Sequence, residues 1–164
     1  MLASIFIYNE IGDIMDFKYV SKNIDDTLTI AENIESEKFP NMVICLDGEL
    51  GSGKTVFVKG FAKALGIEEN ITSPTFTIIK EYNQGELPLY HMDVYRFDEM
   101  EENIGIKDYY KKGGVTIVEW SELIKSDLPS ERLEIVFKIV DENTRLLIFK
   151  PYGKIYEELC ESVL

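Results

Sequence analysis

Apolar positions along this chain follow two periodicities. Met42-Val43-Ile44-Cys45-Leu46 and Val115-Thr116-Ile117-Val118 are short runs with almost no polar interruption, the pattern of strands covered on both faces in a parallel sheet. From Lys54 to Leu65 the spacing changes, with Phe57, Phe61 and Leu65 at i, i+4 and i+8. That is one face of a helix, and Gly66 stands where a helix end favours φ > 0. A glycine-rich loop, 47–53, joins the first run to this helix, so the local order is strand, loop, helix.

Elsewhere the pattern is mixed. Residues 17–20 read as a short strand, and Asn23-Ile24-Asp25-Asp26 as a capped, acidic start to a helix running to about Glu37. Phe76 to Tyr82 and Leu87 to Tyr95 are aromatic and β-branched runs around Asn83-Gln84-Gly85-Glu86, which predicts a β-hairpin. Leu133 to Val140 and Arg145 to Lys150, flanking Glu142-Asn143-Thr144, predict a second. Asp98 to Ile104, Trp120 to Lys125 before Pro129, and the last ten residues read as helical. Strands and helices in this order predict an α/β fold with antiparallel additions. The pattern begins near Phe17, so 1–16 read as an N-terminal extension, with Met15 an alternative start, and 17–164 as one domain.

Composition narrows the function. The 164 residues carry 17 Lys plus Arg against 30 Asp plus Glu, a net charge of −13, and are 45% apolar. A chain so rich in hydrophobes folds. Its negative field opposes unaided binding to nucleic acid or to an anionic membrane. Positive charge and aromatics gather only at Lys107-Asp108-Tyr109-Tyr110-Lys111-Lys112, ordinarily a solvated face and here the one local patch an RNA or an acidic partner could use. Two separated cysteines, Cys45 and Cys160, suit a reducing, cytoplasmic setting. The first residues, with Glu10 and Asp13 and no preceding Lys or Arg, read as neither signal peptide nor membrane span.

Residues 48–55, Gly48-Glu49-Leu50-Gly51-Ser52-Gly53-Lys54-Thr55, satisfy G-x-x-x-x-G-K-[ST] in full. Glycines let successive backbone N–H groups curl around phosphate oxygens, and the helix starting at Lys54 adds its positive end. Lys54 can reach the β- and γ-phosphates, and the Thr55 hydroxyl can ligate Mg²⁺. The fold class becomes a P-loop NTPase-like mixed sheet with flanking helices. A second magnesium anchor is an acid ending a buried strand: Asp93, after Leu87 to Met92, or Glu119, after Val115 to Val118. The second run is proline-free and more continuous, which favours Glu119 for the metal and leaves Asp93 to orient or deprotonate water.

Other positions stay open. His91, Asp93 and Tyr95 alternate, so an extended segment puts all three on one face, although a lone histidine can equally be a packing residue. Arg96 precedes the final hairpin, where Arg132 and Arg145 are the only other arginines; it suits either transferred phosphate charge or a structural ion pair. Ser73-Pro74-Thr75 reads as a γ-phosphate-sensing segment or an ordinary turn. Trp120 reads as a contact surface or a core indole.

GELGSGKT, the Ser73 to Phe76 motif SPTF, His91-Met92-Asp93-Val94-Tyr95-Arg96, Gly105 to Tyr109 and Glu119-Trp120, in this order over about residues 20 to 153, resemble the bacterial TsaE (YjeE) family. The resemblance implies a Mg-dependent P-loop ATPase that works with TsaD and TsaB to form threonylcarbamoyladenosine beside the tRNA anticodon, while TsaC makes the threonylcarbamoyl-adenylate. It implies ATP phosphate binding by Glu49, Leu50, Gly51, Ser52, Gly53 and Lys54, magnesium on Thr55 and Glu119, and catalytic roles for Asp93, Lys54 and Glu119. It also implies nucleotide contacts from Thr27 and Arg145. The family's Gly-Arg pair before its last strand is replaced here by Asp141-Glu142-Asn143-Thr144-Arg145. Slow hydrolysis by the isolated chain, tRNA reached only through partners, and no membrane association are the corresponding expectations. A small-molecule kinase is the alternative that the P-loop alone allows, although three arginines are few for clamping two phosphate groups; a nucleotide-dependent binding module with negligible turnover is a third.

Overall fold

A computed structural model describes residues 5–8, 14–74, 77–96 and 105–164. Its frame is one eight-stranded sheet. The strands are β1 (Ile5–Tyr8), β2 (Ile14–Ser21), β3 (Val43–Gly48), β4 (Ile79–Tyr82), β5 (Leu89–Asp93), β6 (Val115–Glu119), β7 (Arg132–Ile139) and β8 (Arg145–Tyr152), in the spatial order β1-β2-β8-β7-β3-β6-β5-β4. The four central strands β7, β3, β6 and β5 run parallel. Both wings are antiparallel: β4 returns on β5, β8 returns on β7, and β2 and β1 continue outward from β8.

Four helices are described, α1 (Ile24–Ser36), α2 (Lys54–Leu65), α3 (Ile106–Tyr109) and α4 (Lys154–Val163), with a short 3₁₀ helix over Ser121–Asp127. Helices α1, α2 and α4 cover one face, where Ile30, Ile34, Phe57, Phe61, Leu65, Tyr156 and Leu159 bury against Ile44, Leu46, Ile117, Leu133, Ile135 and Phe149. Val43, Cys45, Met92 and Val118 point to the other face, into a second cluster with Ile78, Ile106, Tyr110 and Ile124. The run Met42–Leu46 is continuously apolar for that reason: alternate residues enter different cores.

Several sequence expectations shift at their ends. The strand expected at 17–20 spans Ile14–Ser21, and Ile5–Tyr8, within the segment read as an extension, pairs with it at the edge of the sheet. Strand β5 stops at Asp93 instead of Tyr95, so the expected alternation of three polar side chains does not reach Tyr95. The cause is local: Asp93 Oδ1 accepts the Tyr95 N–H at 3.1 Å, and an Asp that bonds two residues ahead turns the chain. The helix expected over Asp98 to Ile104 lies outside the described residues. Among the described residues, no helix is long and apolar enough to cross a membrane.

Candidate active site

The carboxyl ends of β3, β6 and β5 lie side by side, with Leu46 opposite Glu119 and Glu119 opposite Asp93. Ligands of open parallel sheets bind beyond such strand ends. The loop leaving β3 turns at Gly48, Gly51 and Gly53, whose φ values of 149°, 79° and 106° are in the range that favours glycine. At Gly48 space also decides, since a Cβ there would stand 2.6 Å from the Phe137 carbonyl oxygen. Gly53 is the N-cap of α2, so the helix opens with its unpaired N–H groups at the loop.

Inside the loop, Lys54 Nζ donates to the Gly48 carbonyl and, at 3.0 Å, to the Glu49 carbonyl, and lies 4.1 Å from the ring centroid of Trp120. Burial pulls its ammonium below the usual lysine range, against the opposing pull of Glu119, Asp93, Asp47 and Glu122. Thr55 Oγ1 donates to Glu119 Oε1 at 3.0 Å across 64 residues of chain. Glu119 Oε2 lies 2.6 Å from His91 Nε2. Asp93 is held separately, accepting Ser73 Oγ–H on Oδ2 at 2.7 Å and the Tyr95 N–H on Oδ1. The two acids that the sequence ranked for the metal therefore differ in surroundings: Glu119 bonds Thr55, at the start of α2, and Asp93 bonds the serine of the Ser73-Pro74 segment. Trp120 is neither core nor free surface. Its backbone is left-handed at φ 62°, and its indole, 4.9 Å from the ring of Tyr95, faces Lys54.

These groups line a cavity of about 440 Å³ that includes Gly51 to Val56, Ser73, Asp93, Arg96, Glu119 and Trp120. A second cavity, of about 420 Å³, opens on the other side of Gly51–Gly53 and is lined by Asn23, Asp25, Thr27, Val56, Asn143 and Arg145. Thr27 is fixed there by a 2.7 Å hydrogen bond with Ser21 Oγ, and Arg145 spans from the Asp141 carbonyl to the Gly51 carbonyl, at 2.8 and 3.3 Å. Thr27 and Arg145 thus share one pocket against the glycine loop. Of the loop residues, Leu50 is 88% exposed, and Glu49 lines a third cavity, with Asp47 and Glu122.

The donor set suits a magnesium-bound triphosphate. Ser52 Oγ is buried within the loop with no hydrogen-bond partner among the described residues, an unspent polar group that a phosphate oxygen would satisfy. The oxygens of Thr55 and Glu119 are hard donors of the kind Mg²⁺ takes. Asp47 was missed in the sequence: it accepts Ser121 Oγ–H at 2.6 Å and the Glu122 N–H at 3.0 Å, tying the loop to the turn after Glu119. Its one signal was an acid between the apolar run and the first glycine.

Residues 21–147 match the family model described as threonylcarbamoyl adenosine biosynthesis protein TsaE. The tRNA threonylcarbamoyladenosine biosynthesis protein TsaE of Bacillus subtilis is 48% identical over 146 residues, covering 89% of this chain and 92% of that one. The protein of the same name from Treponema pallidum is 40% identical over 128 residues, with 77% and 94% covered. The crystal structure of Bacillus subtilis YdiB superposes with a TM-score of 0.80 at 44% identity, over 90% of this chain and 93% of that one.

Proposed function

The chain belongs to the TsaE family of threonylcarbamoyl adenosine biosynthesis proteins, and from that premise we propose that it is a Mg²⁺-dependent ATPase whose nucleotide cycle drives or resets the enzymes that place threonylcarbamoyl on tRNA adenosine. The observation that carries this reading is the 3.0 Å contact between Thr55 and Glu119 at the foot of a P-loop. It pairs the motif hydroxyl with a buried acid from a neighbouring strand, as magnesium-nucleotide chemistry requires.

In this reading the loop N–H groups, Ser52 and Lys54 bind the phosphates. Lys54 exchanges its carbonyl partners for phosphate oxygens and keeps its charge balanced by the surrounding acids. Thr55 and Glu119 hold Mg²⁺, which when bound neutralises phosphate charge. Asp93, oriented by Ser73, accepts a hydrogen bond from the attacking water and aligns it. Thr27 and Arg145 line the pocket that takes the nucleoside end. Hydrolysis by the isolated chain is slow, and TsaB and TsaD are the partners that complete the site. The acidic chain reaches tRNA through them.

The test is ATPase turnover of the purified chain with and without purified TsaB and TsaD. Stimulation by the pair, lost in Lys54→Ala, is the expected result. Fast turnover indifferent to both partners, or rapid transfer of the γ-phosphate to a small metabolite, would overturn it.

A further inference from the structure

Glu119 is gripped at both carboxylate oxygens by side chains from other elements. Oε1 accepts the Thr55 hydroxyl at 3.0 Å, and Oε2 lies 2.6 Å from Nε2 of His91. His91 has no exposed surface, and Glu119 is 2% exposed. The register of β5 and β6 pairs His91 with Ile117 and Asp93 with Glu119. His91 therefore sits one pleat behind Asp93 and reaches Glu119 diagonally, across a neighbouring strand. An ionised carboxylate can only accept, so the imidazole nitrogen facing it carries the hydrogen. The other nitrogen, Nδ1, is buried with no hydrogen-bond partner among the described residues. The whole polar capacity of this ring within the described residues is thus spent on one oxygen of one acid.

We propose that His91 is a positioning residue for the magnesium site: its Nε2–H holds Glu119 in the rotamer that turns Oε1 toward Thr55. The proposal rests on reading Thr55 and Glu119 as the magnesium ligands. A glutamate has three side-chain torsions, and a buried donor on its far oxygen removes the freedom that metal binding would otherwise have to freeze. Hydrogen bonds one shell out from a metal typically change its affinity by about 10–100-fold. A role in packing alone makes a different demand, since any side chain of similar volume would then serve.

The experiment titrates Mg²⁺ against binding of a fluorescent ATP analogue to wild type, His91→Met and His91→Gln. Met fills the space without a donor, whereas Gln carries an amide N–H close to where Nε2 stands. His91→Met should need about tenfold more Mg²⁺ for half its effect, with Mg-free affinity unchanged, while His91→Gln stays within about threefold of wild type. Equal Mg²⁺ requirements in His91→Met and wild type would overturn the proposal. A wild type whose nucleotide binding ignores Mg²⁺ would instead overturn the reading of Thr55 and Glu119 beneath it. Because the chain holds 1 histidine, ¹⁵N spectra of wild type read the ring without ambiguity and without any variant. A hydrogen on Nε2 and a bare Nδ1 are expected; a hydrogen on Nδ1 with Nε2 bare would refute the proposed grip on Glu119.

Discussion

If the chain binds ATP as proposed, Lys54 is the residue whose surroundings change most. It is buried, bonded to two loop carbonyls, and stacked over the indole of Trp120. Phosphate oxygens are stronger acceptors than carbonyls, so a triphosphate draws Nζ off the ring. Trp120 is the chain's one tryptophan, and its emission should therefore change on nucleotide binding. Lys54→Met should abolish that change and weaken binding by about 100-fold, the value of roughly 2–3 kcal/mol for a charge-assisted hydrogen bond; an unchanged affinity would contradict the assignment. Asp93→Asn should separate binding from chemistry. Nucleotide affinity should hold while turnover in the presence of the partners falls by about 10²-fold or more, the usual weight of a positioned acid or base; turnover equal to wild type would remove Asp93 from the mechanism. Lys54 and Thr55 were legible because a contiguous motif encodes them. The grip of Glu119 on Thr55 and His91 was not, because it joins three elements far apart in the chain.

At the scale of elements, α1 and α2 approach closely at Gly60, where an added Cβ would stand 3.0 Å from the Ala31 Cβ and the Leu28 carbonyl oxygen. Gly60→Val should destabilise the fold by about 2 kcal/mol through overpacking, measured as a lower denaturant midpoint with an unchanged m-value. A midpoint equal to wild type would show that the helices can part at no cost. The sequence revealed α1 through its cap, α2 through its spacing and closing glycine, and β3 and β6 through apolar continuity. It overran β5, because alternation persists through Tyr95 while the Asp93 carboxylate already bends the backbone. It also stopped β2 short, because the start of that strand gains its pairing from β1, a partner no local pattern names.

For the whole molecule, charge and burial set what solution chemistry should see. The net charge of −13 has one basic interruption, and there Lys107 pairs with Asp127 at 3.4 Å while Lys112 lies 3.9 Å from the Tyr109 ring centroid. The isolated chain should therefore bind tRNA weakly or not at all, even at low salt. Steeply salt-dependent binding lost in a Lys111→Glu, Lys112→Glu variant would restore a direct RNA role. Cys45 and Cys160 are buried, and burial pushes the Cys160 thiol up to about 12 and the Cys45 thiol higher still. Both should resist a thiol reagent in the folded chain and react promptly in denaturant. Rapid labelling of either in native buffer would show that a core cluster opens.

By itself the sequence determined the glycine loop, the helix behind it and the two acids at the ends of buried strands, since these depend on backbone freedom and spacing within a few residues. Tertiary structure decided which acid meets Thr55, that Thr27 and Arg145 line one pocket, and that the lone histidine spends its hydrogen bond on Glu119. The first and last depend on the adjacency of β3, β6 and β5, and the second on β8 lying beside β2; such pairings form only when the whole sheet buries both its apolar faces, a condition that no single segment meets.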